Sequence, residues 1–94
     1  MPGLTMALTF RIPSDGIAAF QNYETRVLPL LAEYGGALQR RLRSSSGMFE
    51  FHVVHFATAE GLARYRADPR RSELAPLFER SGATVESIEV EDVR

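Results

Sequence analysis

The spacing of apolar residues changes repeatedly along this chain of 94 residues, and this change most constrains what the chain can fold into. Apolar and polar side chains alternate over residues 5–12, which predicts a β-strand with one apolar face. A PSDG segment follows, in which Ser14 or Asp15 is the predicted N-cap, and apolar residues then recur at helical spacing to about Tyr34. The first third of the chain therefore predicts a strand followed by a helix.

The predicted first helix contains Pro29, which lacks the backbone N–H that would bond to the Thr25 carbonyl, so we expect a kink or a fresh start there. The glycines at 35 and 36 are expected to end this helix. Residues 37–43 and 49–56 have the composition of strands and are separated by an SSSG turn. We expect these two strands to form a hairpin.

The rest of the chain predicts further helix and a last strand. Thr58 is the predicted N-cap of a second helix, whose apolar pattern stops at Asp68 and Pro69 before it resumes, so we expect two short helical pieces. Residues 83–93 predict the last strand. Val85 is out of phase with the later apolar residues of this strand, which suggests a β-bulge.

The predicted order of elements, βαββαβ, is that of the α+β ferredoxin-like fold. Right-handed crossovers place strands one and three at the centre of a four-stranded antiparallel sheet, strands two and four at its edges, and both helices on one face. Strand two favours the Leu38 and Leu42 face as the core, whereas strand three favours the Phe49 face. Because a sheet buried on both faces removes this conflict, we expect one domain over residues 1–94 that forms a homodimer, sheet against sheet.

Two phrases, YETRVLPLLAEYGGALQRRLR over residues 23–43 and FEFHVVHFATAEGLARYRADPRR over residues 49–71, carry a resemblance to a known family. With them the chain resembles the dimeric α+β barrel superfamily, especially its small branches of unknown function and its NIPSNAP-like members. The resemblance implies a homodimer whose two sheets form a barrel. It also implies a small cavity in each subunit between the sheet and the helices.

Composition excludes several classes of function. A net charge of −1 provides no field for nucleic acid or an acidic membrane, and the RRLR segment at residues 40–43 is typical of a solvated edge strand. The chain has no cysteine, and it contains no dinucleotide-binding, P-loop or nucleophile-elbow motif and no metal-spaced pair. We therefore expect no cofactor, no metal, no nucleic acid and no membrane partner, and a cytoplasmic location.

The two histidines of the chain lie three positions apart in the predicted third strand, so their side chains point to opposite faces and cannot share a metal ion. If Arg43 pairs with Phe49 across the turn, Arg40 lies opposite His52 and Glu50 is its diagonal neighbour. We predict His52, Glu50 and Arg40 as the catalytic group, which would bind a small carboxylate or move a proton. The alternative is a structural salt bridge, and a register change of one residue would dissolve the group.

Other polar side chains are weaker candidates. Tyr23 and Tyr65, with Glu24, are predicted to line a substrate pocket from the helices, although tyrosines at helical spacing are commonly core residues. Four arginines around the break in the second helical region would attract an anion or form a solvated face paired with Asp68 and Glu73; they are Arg64, Arg66, Arg70 and Arg71. His55 is expected to be a packed or rim residue.

Two functions remain open from the sequence. The first is a cofactor-independent small-molecule enzyme of monooxygenase or isomerase type, a class that the resembled superfamily contains. Its haem-degrading members use a tryptophan, an asparagine and a helical histidine, and this chain has no tryptophan and no histidine in a predicted helix. The second is a non-catalytic dimer that binds a small ligand or acts in a stress response.

Overall fold

The computed structural model describes residues 3–93. Strands and α-helices are numbered in chain order, and two 3-10 helices flank the first α-helix. The elements are β1 (Leu4–Arg11), a 3-10 turn (Ser14–Gly16), α1 (Ile17–Val27), a 3-10 helix (Leu28–Tyr34), β2 (Gly36–Arg43), β3 (Phe49–Phe56), α2 (Ala59–Arg66), α3 (Pro69–Ser81) and β4 (Thr84–Val90).

The strands form one antiparallel sheet in the order β2-β3-β1-β4, which confirms the predicted ferredoxin-like arrangement. The helices cover one face of this sheet, called the covered face below. Alternate residues of β1 and β3 point into this layer and pack against apolar residues of the helices. The centre of the core consists of Phe10, Phe20, Val27, Leu31, Val54 and Phe56.

The break between α2 and α3 was predicted correctly. The Thr58 side chain accepts a hydrogen bond from the Gly61 N–H at 2.9 Å and caps α2. The Asp68 side chain accepts one from the Arg70 N–H at 2.7 Å, and Pro69 is the first residue of α3, where it needs no hydrogen-bond donor. Local capping chemistry therefore fixes this junction.

The start of the first helix differs from the prediction. Neither Ser14 nor Asp15 caps α1; the chain turns through a 3-10 segment closed by the Gly16 N–H bonding to the Pro13 carbonyl, and α1 follows without a side-chain cap. A Cβ added to Gly16 would lie 1.8 Å from the Ser81 carbonyl oxygen. Close approach of α3 to this turn thus determines the entry into α1, which local sequence does not reveal.

Pro29 produces the predicted fresh start. The α-helix ends at Val27, and Leu28–Tyr34 continues as a 3-10 helix with the proline in its first turn. Gly35, with φ of 72°, terminates it as expected from the glycine pair.

The predicted bulge at Val85 is wrong, and the irregularity lies in β2 instead. The β1–β4 pairing is continuous, and Val85 lies opposite Phe10 on the covered face. In β2 the register shifts between Leu38 and Arg40, so Gln39 is the extra residue of a bulge. Because of the bulge, Leu38 lies on the covered face, whereas Leu42 lies on the open face beside Phe51. The two leucines no longer require the same face as the core, so the predicted conflict between strands two and three disappears.

The predicted pairing of Arg43 with Phe49 is also wrong. The Ser44 N–H donates to the Phe49 carbonyl at 3.0 Å, so the turn is shorter and Arg43 lies opposite Glu50. Arg41, and not Arg40, is therefore the residue opposite His52, and Arg40 lies opposite Val53 on the other face.

The second face of the sheet, called the open face, has no helix over it in residues 3–93. It carries the alternate side chains of β3, among them Phe51 and Val53, both half-buried. Leu42 beside them is 46% exposed and Ile88 on β4 is 61% exposed. Within the described part of the chain, no helix is long and apolar enough to cross a membrane.

Candidate functional site

A cavity of about 370 Å³ lies between the helices and the covered face of the sheet, where the resemblance implies one. Apolar side chains form most of its wall, including Met6, Leu8, Val27, Leu31, Phe56 and Leu62. A few polar side chains from the sheet and from the helices also line the cavity. They include His52, Glu24, Tyr23, Tyr65 and Arg71. An apolar cavity with a few convergent polar groups is the usual form of a small-molecule site.

His52 and Glu50 form a buried pair on β3. The histidine is 2% exposed and the glutamate is fully buried, and His52 Nε2 lies 2.9 Å from Glu50 Oε1. Arg41 Nε donates to the same carboxylate at 2.9 Å and Arg43 Nε at 2.7 Å. Burial alone would raise the pKa of Glu50, but the hydrogen bonds from Arg41, His52 and Arg43 outweigh it and lower the pKa to about 2. Glu50 is therefore a carboxylate at neutral pH.

The ionised state of Glu50 fixes the tautomer of His52. A carboxylate only accepts hydrogen bonds, so Nε2 of His52 must carry the proton that it donates. Burial lowers the pKa of His52, against the raising effect of the bond to Glu50, so the ring is neutral at pH 7 and Nδ1 has a free lone pair. Phe10 packs against the ring with centroids 4.7 Å apart. The result is an oriented, neutral base in the cavity wall.

The structure brings together two of the three predicted catalytic residues. Glu50 and His52 are in contact as expected, whereas Arg40 points to the open face because of the bulge at Gln39. Arg41 occupies the predicted place of Arg40. The sequence did not predict that Arg41 and Arg43 contact Glu50, because these contacts depend on the pairing register of β2 with β3, which a single extra residue changes.

The second histidine lies outside the cavity. His55 is on the open face, where its Nδ1 is 3.1 Å from the Thr5 hydroxyl on β1. This is the packed position that strand alternation predicts.

Tyr23 and Tyr65 both line the cavity, and Arg71 of α3 connects them. A terminal nitrogen of Arg71 donates to the Tyr23 hydroxyl at 3.3 Å, and the guanidinium carbon lies 4.6 Å from the centre of the Tyr65 ring. Burial raises the pKa of Tyr65 to about 12, so it is a neutral phenol. Arg71 Nε is buried and has no hydrogen-bond partner within residues 3–93.

Glu24 is a second buried carboxyl group in the cavity wall. It is 2% exposed, and no hydrogen bond to its carboxyl group contributes to its pKa. Burial raises its pKa to about 7, although Arg41 and Arg71 act in the opposite direction. Its position was readable from the sequence, because the helical spacing of Phe20, Glu24 and Val27 puts a carboxylate in the apolar stripe of α1.

The other arginines near the α2–α3 junction have structural roles. Arg70 donates to Asp68 at 2.7 Å and to Glu33 at 2.8 Å, and the Tyr34 hydroxyl also donates to Asp68. The hydrogen bond from Arg70, together with that from Tyr34, holds the pKa of Asp68 below its usual range. Arg70 therefore pairs with Asp68 as the alternative predicted, but Asp68 is buried and the second partner is Glu33 and not Glu73, while Arg71 lines the cavity.

The cavity wall offers few metal ligands. Within residues 3–93, no group of three or more His, Cys, Asp or Glu side chains is placed to hold a metal ion. One ring nitrogen of His52 bonds to Glu50. The other is therefore the single imidazole nitrogen of the described cavity wall with a lone pair for a metal ion.

Fold and cavity together define a small ferredoxin-like α+β domain with a buried pocket on the covered face. No protein-family model and no curated protein matches the sequence. Among solved structures, the chain is similar to SnoaB, a cofactor-independent oxygenase from Streptomyces nogalater, with a TM-score of 0.79 at 16% identity over 100% of this chain and 96% of that chain.

Two further structures share the fold. A NIPSNAP family protein with unknown function from Agrobacterium tumefaciens has a TM-score of 0.69 at 21% identity, over 94% of this chain and 87% of that chain. Rv0793 from Mycobacterium tuberculosis has a TM-score of 0.68 at 15% identity, over 98% of both chains. At these identities the likeness establishes the fold, and with it the predicted resemblance to NIPSNAP-like and monooxygenase-like structures.

Proposed function

We propose that this protein is a cofactor-independent enzyme of monooxygenase or isomerase type that acts on a small, largely apolar molecule. The observation that carries the proposal is the buried His52–Glu50 pair in the wall of an apolar cavity. A neutral histidine whose tautomer is fixed by a carboxylate can act as a general base. The likeness of the fold to a cofactor-independent oxygenase supports the same class of reaction.

In this proposal His52 and Glu50 have different roles in the proton transfer. His52 Nδ1 takes a proton from an acidic C–H or O–H of the substrate, and Glu50 stabilises the imidazolium that forms. Arg41 and Arg43 keep Glu50 ionised, so the supporting role predicted for Arg40 passes to Arg41. Tyr23 and Tyr65 bind the substrate from the helical side.

Deprotonation is the step that both reaction types share. In an isomerase the proton returns to a different atom of the same molecule. In a monooxygenase of this type, O₂ is the oxidant: a CH₂ group loses two hydrogens, one oxygen atom forms the new carbonyl and the other leaves as water. Neither reaction needs a bound cofactor for its electrons to balance.

The test measures deprotonation directly, with His55 as the matched control. A panel of small phenols and cyclic ketones is incubated in D₂O, and C–H exchange is followed by NMR alongside oxygen consumption. We expect His52→Gln to lower the rate by about 100-fold or more, and His55→Gln to leave it within about threefold. Equal loss in both variants, or loss in His55→Gln alone, would contradict the assignment.

The same assay separates the enzyme from its alternative, a dimer that binds a small ligand or acts in a stress response without catalysis. Such a module would bind panel members and protect them from exchange. An enzyme accelerates the exchange in a way that depends on His52.

We also propose that the single domain predicted over residues 1–94 functions as a homodimer joined through the open face. Half-buried Phe51 and Val53 and exposed Leu42 and Ile88 form an apolar surface that a second copy would cover. The cytoplasmic location stays a prediction, which cell fractionation would check.

A further inference from the structure

Arg71 is the charged group of the cavity whose hydrogen bonding is incomplete. Its guanidinium is held in place by Tyr23 and by the face of Tyr65, so it cannot turn freely toward solvent. Its Nε–H is buried without an acceptor within residues 3–93. A buried, charged donor without an acceptor is costly, and the hydrogen bond of the guanidinium to Tyr23, at 3.3 Å, is long, so the group has donors to offer to a ligand oxygen in the cavity.

The nearby carboxyl group does not provide that acceptor. Glu24 lines the same cavity, yet it forms no salt bridge with Arg71 within the described residues, and Arg71 lowers its pKa through charge and not through a hydrogen bond. Two groups of complementary chemistry, buried Glu24 and half-buried Arg71, therefore line one cavity without forming a salt bridge within the described residues.

We propose that Arg71 binds an anionic oxygen, a carboxylate or phenolate, of a small apolar ligand through its guanidinium group, and that Glu24 is neutral in the complex. The proposal deepens the proposed function, because it names the substrate class of the same cavity. It needs binding alone and does not require that His52 catalyse a reaction.

Proton linkage follows from the charges around Glu24. The titratable and charged groups that face it come from every neighbouring element: Tyr23 of α1, Arg41 of β2, Glu50 and His52 of β3, Tyr65 of α2 and Arg71 of α3. Burial already raises the pKa of Glu24 to about 7, and a second negative charge in the cavity raises it further. A carboxylate ligand should therefore bind with uptake of a proton, and more tightly at pH 6 than at pH 8.

The two ligand classes differ in where this proton comes from. A carboxylate is ionised before it binds, so the proton comes from the buffer. A phenol brings its own proton, which passes to Glu24 as the phenolate forms, so little net uptake is expected. Calorimetry in buffers of different ionisation enthalpy distinguishes the two.

The experiment measures binding of benzoate, its neutral isostere benzamide, and 4-nitrophenol by isothermal titration calorimetry. We expect benzoate or 4-nitrophenol to bind at least 10-fold more tightly than benzamide. Arg71→Gln should remove this preference, with a loss of about 10- to 100-fold, which is the scale of one charge-assisted hydrogen bond. Arg66→Gln is the matched control, because Arg66 lines the same cavity and is exposed; it should keep the preference.

Further variants keep the test decisive. Because Arg71 packs on Tyr65, folding of Arg71→Gln is checked by circular dichroism, and if that variant fails to fold, Arg71→Lys is used, which keeps the charge but loses the Nε donor. Either variant should weaken the anion more than the amide. Glu24→Gln should abolish proton uptake and make benzoate affinity constant between pH 6 and 8.

Three results would overturn the proposal. They are a preference for anions that survives Arg71 substitution, an equal loss in Arg66→Gln, and no binding of either anion to the wild-type protein at millimolar concentration. None of these results bears on the proposed role of His52, which is tested by C–H exchange of neutral ketones in D₂O. Conversely, anion binding through Arg71 without any exchange would leave this inference standing and refute the enzyme.

Discussion

The covered and open faces of the sheet carry alternate side chains of the same strands, and these side chains differ in polarity and burial. On the covered face, the β3 residues Glu50 and His52 are almost fully buried and form a polar network among apolar neighbours. On the open face, the intervening residues of β3 are mainly apolar and only half-buried, with His55 bonded to Thr5. Within β3, polar groups at 50 and 52 thus lie where burial is complete and apolar groups at 51 and 53 where it is incomplete, which supports the proposed site on one face and the proposed association on the other.

The largest effect should come from a charge on the open face. Phe51→Glu would bury a carboxylate in the proposed dimer interface, so we expect the protein to change from dimer to monomer at micromolar concentration, measured by sedimentation equilibrium. Ala18→Glu, on an exposed position of α1, is the control and should stay dimeric. A wild-type protein that sediments as a monomer with a cooperative melt would contradict the open-face interface.

On the covered face, Glu50→Ala should lower the free energy of unfolding by about 2 to 3 kcal/mol, because it removes the buried carboxylate that buried His52 and the more exposed Arg41 and Arg43 share. Since the pKa of Glu50 falls from 4.5 to about 2 on folding, its stabilisation is present above pH 4.5 and is lost as pH falls toward 2. Urea unfolding at pH 7 and pH 3 measures both effects.

The matched control for Glu50 is Glu73→Ala at an exposed position of α3, which should change the unfolding free energy by less than about 0.5 kcal/mol. Equal destabilisation by the two substitutions would mean that the buried network contributes nothing beyond an exposed glutamate.

The bulge predicts unequal effects for two leucines of one strand. Leu38 packs against the core, so Leu38→Ala should cost about 2 kcal/mol, whereas Leu42 is 46% exposed and Leu42→Ala should cost less than about 1 kcal/mol. Both are measured by urea unfolding in an Ile88→Glu background, which puts the charge on the open face of β4, away from both leucines, so that association does not contribute. Similar losses would indicate that the two leucines share a face and that the bulge is absent.

The smallest effect, and a stabilising one, is expected for Glu24→Gln. Because burial raises the pKa of Glu24 from 4.5 to about 7, the folded protein holds a proton that the unfolded chain has lost, and stability falls as pH rises from 4.5 to 7. The variant should gain about 1 to 2 kcal/mol at pH 8 and lose this advantage near pH 4.5. An unchanged difference between pH 5 and pH 8 would show that Glu24 is not buried as a neutral acid.

Sequence alone predicted the parts of this molecule that depend on local chemistry. Strand alternation separated His52 from His55, the caps at Thr58 and Asp68 located α2 and α3, and the element order gave the sheet topology. What it missed depends on contacts between distant segments. The entry into α1 is set by its approach to Ser81, and the cations of the site are set by the hairpin register.

The residues that line the cavity also divide into those that local sequence predicts and those that depend on contacts between distant segments. Glu24 was predictable as a pocket residue because its helical position is local information, and so were the two tyrosines. The selection of Arg71 from four nearby arginines was not, because it depends on how α3 leaves the junction after Asp68.

The bulge at Gln39 has a consequence for how relatives of this chain would diverge. Arginines stand at 40, 41 and 43, so a change of one residue in the length of the segment between the bulge and the turn would exchange the cations that reach Glu50 without any substitution. The strand can thus change the cations of its site through a change in length while its residue types stay constant. A comparison that matches such chains column by column would pair arginines that point to opposite sides of the sheet.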